Sequence, residues 1–369
     1  MSHDVAIYAP FAAGQYSRKS VRVGGAERQT FLLAHALSEQ GIDTAHIVFR
    51  VKDPLPPPNS HLTLVERAPF RGNHRFGKYR EAVRIWRGLA KSDAAVYIVR
   101  TGSPALGIVG LFCRLRQRRL IFASSTDADF TLVHLRERIR SVMYHLGLRC
   151  ADAVVVQTAK QLELVRAGFP RTPRSAHVPS FAEAMRPAAR PGTSFLWIGR
   201  AVDYKRPLSY VELARALPEA RFGMLATPIY GAEDCHAEVL RAATEVPNLE
   251  ILEPRPHREL MELMAQSVAI VNTSRSEGMP NIFLEGWASG IPALTLDFDP
   301  DNIIASRGIG VAAGNSWEAF VNGARRLWES RDDQQEIGRA SRAYIEEVHG
   351  IASVGRQWTA IVKELVELP

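Results

Sequence analysis

The stretch Ser274–Leu296, SRSEGMPNIFLEGWASGIPALTL, decides the fold. It follows AIVNTS (269–274), a buried-type β run, and leads into PALTLDF (292–298), another. Pro280 suits a first helical turn, and the segment 280–289 reads as a helix. Strand, loop, helix and strand in that order make a parallel βαβ unit. The loop exposes backbone N–H groups at a helix N-terminus, which attracts an anion. Yet it carries two carboxylates, Glu277 and Glu285, eight residues apart. Carboxylates do not bind phosphate; they suit hydroxyl groups of a ribose or a sugar ring. Phosphate and hydroxyls in one place point to a nucleotide-sugar. The plainer alternative is a first-turn glutamate that complements the helix dipole.

The same alternation runs outward in both directions. VAIYAP (5–10), TAHIVFR (44–50), AAVYIVR (94–100), RLIFASS (119–125) and AVVVQT (153–158) read as strands between helical stretches. RPAARPG (186–192) reads as a linker. SFLWIGR (194–200), RFGMLA (221–226) and LEILEP (249–254) restart the pattern, and 317–368 is almost wholly helical. The expected fold class is α/β: two Rossmann-like, doubly wound domains. The first spans 1–188 and takes in a C-terminal helix at about 350–369; the second spans 189–349. Such sheets bind ligands at the carboxyl ends of their strands, so the expected site is a cleft between the halves.

The 369 residues are 46% hydrophobic and 23% charged, which excludes disordered and collagen-like classes. Cys113, Cys150 and Cys235 have no metal-ligand spacing, and an odd number argues against a disulfide framework. The opening MSHDVAIYAP lacks the features of a signal peptide, and SPALGIVGLFC (103–113) is too short to span a bilayer. A cytoplasmic protein is expected, peripheral at most on the inner membrane face.

Three segments carry a family resemblance. Glu277-Gly278-Met279-Pro280-Asn281 followed by Ile282-Phe283-Leu284-Glu285 resembles the E-x7-E signature of retaining glycosyltransferases of family 4, in its E-G-x-P-N variant. FLWIGRAVDYKRP (195–207) resembles the family's strand-GR-xxxx-K element. VAIYAP with VGGAERQTFLLAHAL (23–37) resembles its N-terminal Gly-Gly loop and helix. The resemblance implies the GT-B fold, with the last helix crossing back to the first domain. It implies transfer of a sugar from a UDP- or GDP-sugar to a glycan or lipid-linked hydroxyl, in cell-envelope or surface polysaccharide synthesis. An epimerase on the same fold and a basic, non-catalytic binding protein are the rival readings.

Residue roles follow from the chemistry and the resemblance together. Arg200 and Lys205 lie just past a strand end, where two cations suit a diphosphate clamp; the alternative is a solvated surface pair. Glu285 matches the family position on the ribose hydroxyls, and Glu277 the position near the donor sugar. Backbone groups of Gly278, Met279, Pro280 and Asn281 would line sugar and phosphate, Pro280 through its carbonyl. Arg255, in Pro254-Arg255-Pro256, would edge the nucleobase or merely stiffen a loop. Gly24 and Gly25 let the backbone approach a ligand or form a turn. Where the family often carries His-Asp, this chain has Thr126-Asp127-Ala128-Asp129. Asp127, preferred over Asp129, would hold a sugar hydroxyl; either is equally an N-cap. No metal or other cofactor is implied, since Asp299-Pro300-Asp301 is a turn and the histidines lack ligand spacing.

The charge is uneven. Residues 1–190 hold 29 basic and 14 acidic side chains, and 191–369 hold 17 and 25. No nucleic-acid motif accompanies the basic half. Arg71, Arg75, Lys78, Arg80, Arg84, Arg87 and Lys91, beside Phe70, Phe76, Tyr79, Ile85 and Trp86, resemble an interfacial segment. Arg114, Arg116, Arg118 and Arg119 form a second cluster. An anionic membrane surface, an acidic acceptor glycan or a solvated basic face would each account for them.

Overall fold

The computed structural model describes residues 2–17, 24–69, 77–100, 102–131, 138–168, 174–185, 192–229 and 231–367. Most of the 186–192 stretch, residues 18–23, and Phe70, Arg71, Arg75 and Phe76 lie outside them. The chain divides into two compact units, Met1–Phe181 with Ile351–Pro369, and Ala182–Gly350.

The first unit is built on β1 (His3–Tyr8), β2 (Thr44–Phe49), β3 (Leu62–Arg67), β4 (Ala94–Arg100), β5 (Arg119–Ala123), β6 (Ala153–Val156) and β7 (Ser175–His177). The second is built on β8 (Ser194–Arg200), β9 (Phe222–Thr227), β10 (Leu249–Ile251), β11 (Ser267–Asn272), β12 (Ala293–Thr295) and β13 (Gly310–Ala312). Every pairing is parallel. The orders are β3-β2-β1-β4-β5-β6-β7 and β10-β9-β8-β11-β12-β13. Chain direction across each sheet reverses once, between β1 and β4 and between β8 and β11. Those reversals open a crevice at the carboxyl ends of the strands. Helices cover both faces, which is why central strands such as AAVYIVR and SVAIVN read as continuous apolar runs.

The C-terminal helix Ile351–Glu367 belongs to the first unit. Val354, Trp358, Val362 and Leu365 join the core that holds Leu33 and Leu37 of helix Gly25–Glu39. A Cβ on Gly355 would meet Ala36 Cβ at 3.1 Å, so glycine permits that close crossing. Arg174 and Glu364 add an ion pair.

Part of the basic-segment reading needs correcting. In helix Gly77–Ser92, Ile85 is buried and the Trp86 ring packs edge-on to Phe112 at 5.0 Å. Ile85 is thereby withheld from any membrane, and Trp86 is partly buried. Arg84 donates to the Pro69 carbonyl at 3.2 Å. Likewise Arg118 is paired with Asp93 at 2.9 Å and Arg119 with Asp152 at 3.3 Å. Sequence spacing clusters these cations; the fold assigns several of them partners.

The turn after β1, Pro10–Tyr16, is anchored by a buried polar contact. The Tyr16 hydroxyl meets His46 Nδ1 at 2.6 Å, and its ring stacks on His35. Burial holds His46 down at about 3 and His35 at about 4, against an ordinary 6.5. Both are therefore neutral when folded. As pH falls through 6.5 the unfolded chain takes protons that the folded chain refuses, so the stability these histidines contribute, complete above that pH, is lost towards pH 4. Urea unfolding at pH 7 and pH 5 should differ by about 2 kcal/mol from His46 alone. His46→Gln should flatten that dependence; an unchanged slope would refute the assignment.

Candidate active site

The second unit gathers its polar residues at the β8/β11 reversal. The loop after β8, 201–206, and the loop after β11, 273–280, are stitched together. The Thr273 hydroxyl donates to the Lys205 carbonyl at 2.6 Å. Arg275 N–H donates to the Tyr204 carbonyl at 2.9 Å, and Arg206 Nε to the Thr273 carbonyl at 2.7 Å. Lys205 and Glu277, both mostly buried, form an ion pair across the two loops. The Ser274 hydroxyl donates to the same Glu277 oxygen at 2.7 Å, and Asn272 Nδ2 lies 3.5 Å from it. Glu277 is thus fixed by two groups from one strand end and one cation from the other. Arg200, the last residue of β8, stays exposed, with its guanidinium donating to the Tyr204 hydroxyl at 3.1 Å.

Helix Asn281–Ala288 rises from this loop. Gly286 lets it sit close on β11, since a Cβ there would come within 2.7 Å of Ile270 Cγ1. Phe283 and Trp287 fill the core beneath. Pro280 is at the N-cap rather than in the first turn. Its carbonyl accepts from Phe283 N–H at 3.0 Å and Leu284 N–H at 3.4 Å. An N-cap carbonyl closes the first turn, so this one is engaged within the helix rather than aimed at a ligand. The Met279 side chain is core, leaving its backbone to the loop. Glu285, one turn on, is partly exposed, and His257 Nε2 lies 3.9 Å from its carboxylate. Arg255 is two residues before His257, half-buried, with Nε 3.4 Å from the Glu253 carbonyl.

Arg206 is a residue that sequence reasoning missed. Besides Thr273 it reaches Asp297 Oδ2 at 3.1 Å and Asn315 Oδ1 at 2.9 Å. One guanidinium thereby ties the carboxyl ends of β8, β11, β12 and β13. It does so from a left-handed backbone, φ +45° and ψ +53°, immediately before Pro207. A non-glycine residue there is strained.

The remaining expected residues lie in the first unit. Gly24 is the N-cap of helix Gly25–Glu39, at φ −80° and ψ 160°. Neither glycine needs a positive φ. Instead, a Cβ on Gly24 would collide with the Glu27 carboxylate, which folds back beside the helix start. Of the two aspartates, Asp129 organises the loop: its carboxylate accepts from Ser125 N–H at 2.7 Å, Thr126 N–H at 3.1 Å and Gly102 N–H at 3.0 Å. Thr126 Oγ1 accepts from Ala128 N–H at 2.9 Å. The capping contact on helix Ala128–Thr131 therefore falls to Thr126, while Asp129 pins the loop before it. Asp127 pairs with Lys160 Nζ at 2.7 Å. Arg100, at the end of β4, was also not singled out; burial lowers its pKa to about 10, with Asp129 and Glu27 opposing, so it stays charged.

Among the described residues, no group of three or more His, Cys, Asp or Glu is placed to hold a metal ion. Cys113, Cys150 and Cys235 are free thiols. No described helix is long and apolar enough to cross a membrane.

Residues 24–180 match the family model of the glycosyl transferase 4-like domain, and residues 192–330 that of glycosyl transferases group 1. The chain is a glycosyltransferase of the GT-B fold. Solved structures agree on the transferase fold at low identity. Sucrose-phosphate synthase from Thermosynechococcus elongatus superposes with TM-score 0.77 at 14% identity, covering 98% of this chain and 99% of that one. Anabaena Alr3699/HepE, in complex with UDP and glucose, gives 0.74 at 12% identity over 98% and 100%. WaaG, a glycosyltransferase involved in lipopolysaccharide biosynthesis, gives 0.69 at 15% over 97% and 99%. A search of curated protein sequences finds no match to the transferase.

Proposed function

We propose that this transferase moves a sugar from a UDP- or GDP-sugar to a hydroxyl of a glycan or lipid-linked acceptor in surface polysaccharide synthesis, with retention at the anomeric carbon. The observation that carries the reading is the stitched β8/β11 strand-end site, where Lys205 pairs with the anchored carboxylate of Glu277 and Arg200 reaches the Tyr204 hydroxyl of the same loop. The UDP-glucose complex of HepE supports a uridine donor by analogy of fold.

Arg200 and Lys205 would clamp the donor diphosphate and stabilise the charge that grows on it as the glycosidic bond breaks, the part a metal ion plays elsewhere. Diphosphate would draw Lys205 away from Glu277. Ser274 and Asn272 would keep that carboxylate in place, facing sugar hydroxyls. Glu285 would hold the ribose hydroxyls, with His257 fixing its orientation. In the first unit, Asp127 would hold a sugar hydroxyl and the Gly24-Gly25 turn would approach the acceptor side. The acceptor hydroxyl would attack from the face the leaving group departs, and a phosphate oxygen would take its proton. No protein base and no metal are then needed.

Incubation with UDP- and GDP-sugars and glycan acceptors should release nucleoside diphosphate. Proton NMR of the product should show the donor's anomeric configuration preserved. An inverted product would overturn retention, and an isomerised sugar nucleotide without release would favour epimerisation instead.

A further inference from the structure

We propose that the outward face of helices Ala105–Arg116 and Arg138–Cys150 docks on an anionic lipid bilayer. The inference stands on the first unit alone and is independent of the donor site.

The two helices are packed unusually close. A Cβ on Gly107 would collide with the Met143 carbonyl, one on Gly147 with Leu106, and one on Gly110 would come within 2.8 Å of Cys150 Cβ. Leu106, Val109 and Phe112 on one helix and Tyr144 and Leu148 on the other face the sheet and are buried. Helical periodicity then turns Leu111 and Leu115, and Val142 and Leu146, to the opposite side, on adjacent ridges. All four are exposed, Leu115 and Val142 at 65% each. They make up four of the ten exposed large hydrophobics among the described residues. The concentration is what asks for an explanation, since scattered exposed leucines do not.

Within these two helices the charges have one sign. Neither ALGIVGLFCRLR nor RIRSVMYHLGLRC contains an acidic residue. Arg114, Arg116, Arg140 and Arg149, on the same two helices, are exposed. Arg118 and Arg119, close in sequence, have Asp93 and Asp152 as partners. Exposed aliphatic side chains on helices that also carry exposed arginines suit the boundary between acyl chains and anionic headgroups. A single-stranded nucleic acid would need aromatic stacking platforms, and this ridge is aliphatic. This face is distinct from helix Gly77–Ser92, where Ile85 is buried and Trp86 packs on Phe112.

Flotation of the full-length protein with phosphatidylcholine vesicles, with or without phosphatidylglycerol, tests this. Wild type should float with the anionic vesicles, less so at high salt, and stay in solution with phosphatidylcholine alone. Leu115→Ser/Val142→Ser and Arg114→Glu/Arg116→Glu should each lower partitioning at least about tenfold. Both should keep wild-type thermal melting, as the sites are exposed. Arg241→Glu, an exposed cation of the second unit, should float like wild type. Absence of wild-type flotation at low salt would overturn the proposal, as would undiminished partitioning of both double variants.

Discussion

Lys205→Ala is expected to lower nucleotide release from the donor by about 10²–10³-fold, the loss seen when one preorganised donor to a developing anion is removed. It should also destabilise the second unit. Lys205 and Glu277 are 14% and 16% exposed, and removing the cation leaves a largely buried carboxylate without its counter-charge. The two effects separate in a combined variant. Lys205→Met with Glu277→Gln should regain much of the stability, because the unpaired charge is gone, yet recover none of the turnover. Arg200→Ala should show the catalytic loss without the thermal one, since its side chain is exposed and holds a tyrosine hydroxyl rather than a buried charge. Steady-state release assays alongside thermal melts distinguish these cases. Wild-type turnover in Lys205→Ala would refute the clamp.

Arg206→Ala is expected to cost about 2–3 kcal/mol of stability, from three charge-assisted hydrogen bonds in a half-buried setting. Its partners come from loops far apart in sequence, Thr273, Asp297 and Asn315, so their mutual placement should loosen as well. Arg206→Gly loses the same contacts but relieves the left-handed backbone. It should therefore be more stable than Arg206→Ala by about 1 kcal/mol. Denaturant unfolding of the two variants makes the comparison, and equal midpoints would show that the strain at φ +45° is not there to be relieved.

The long central strands were readable because a parallel sheet buried on both faces demands uninterrupted β-branched runs, and VAIYAP, AAVYIVR and AIVNTS are such runs. β3, β7 and β13 were not. β7 and β13 are three-residue edge strands, and LTLVER in β3 alternates buried with exposed positions. Helix Ala105–Arg116 hid in a segment whose glycines look like breakers; they serve a close helix contact instead. At the site, Arg200, Lys205, Glu277 and Glu285 could be read because they sit at fixed offsets from strand ends. Arg206 could not, because its importance lies in a backbone angle and in partners up to 109 positions away. Asp127 and Asp129 are indistinguishable in sequence. The fold separates them, giving Asp129 three backbone N–H groups and leaving Asp127 to a lysine.

Calorimetric titration of UDP and GDP into the full-length protein tests the donor site most directly. One of the two should bind with a stoichiometry of about one, and Arg200→Ala, which leaves the fold intact, should weaken it at least about tenfold. Absence of binding by either nucleotide at millimolar concentration, or wild-type affinity in both Arg200→Ala and Lys205→Ala, would contradict it.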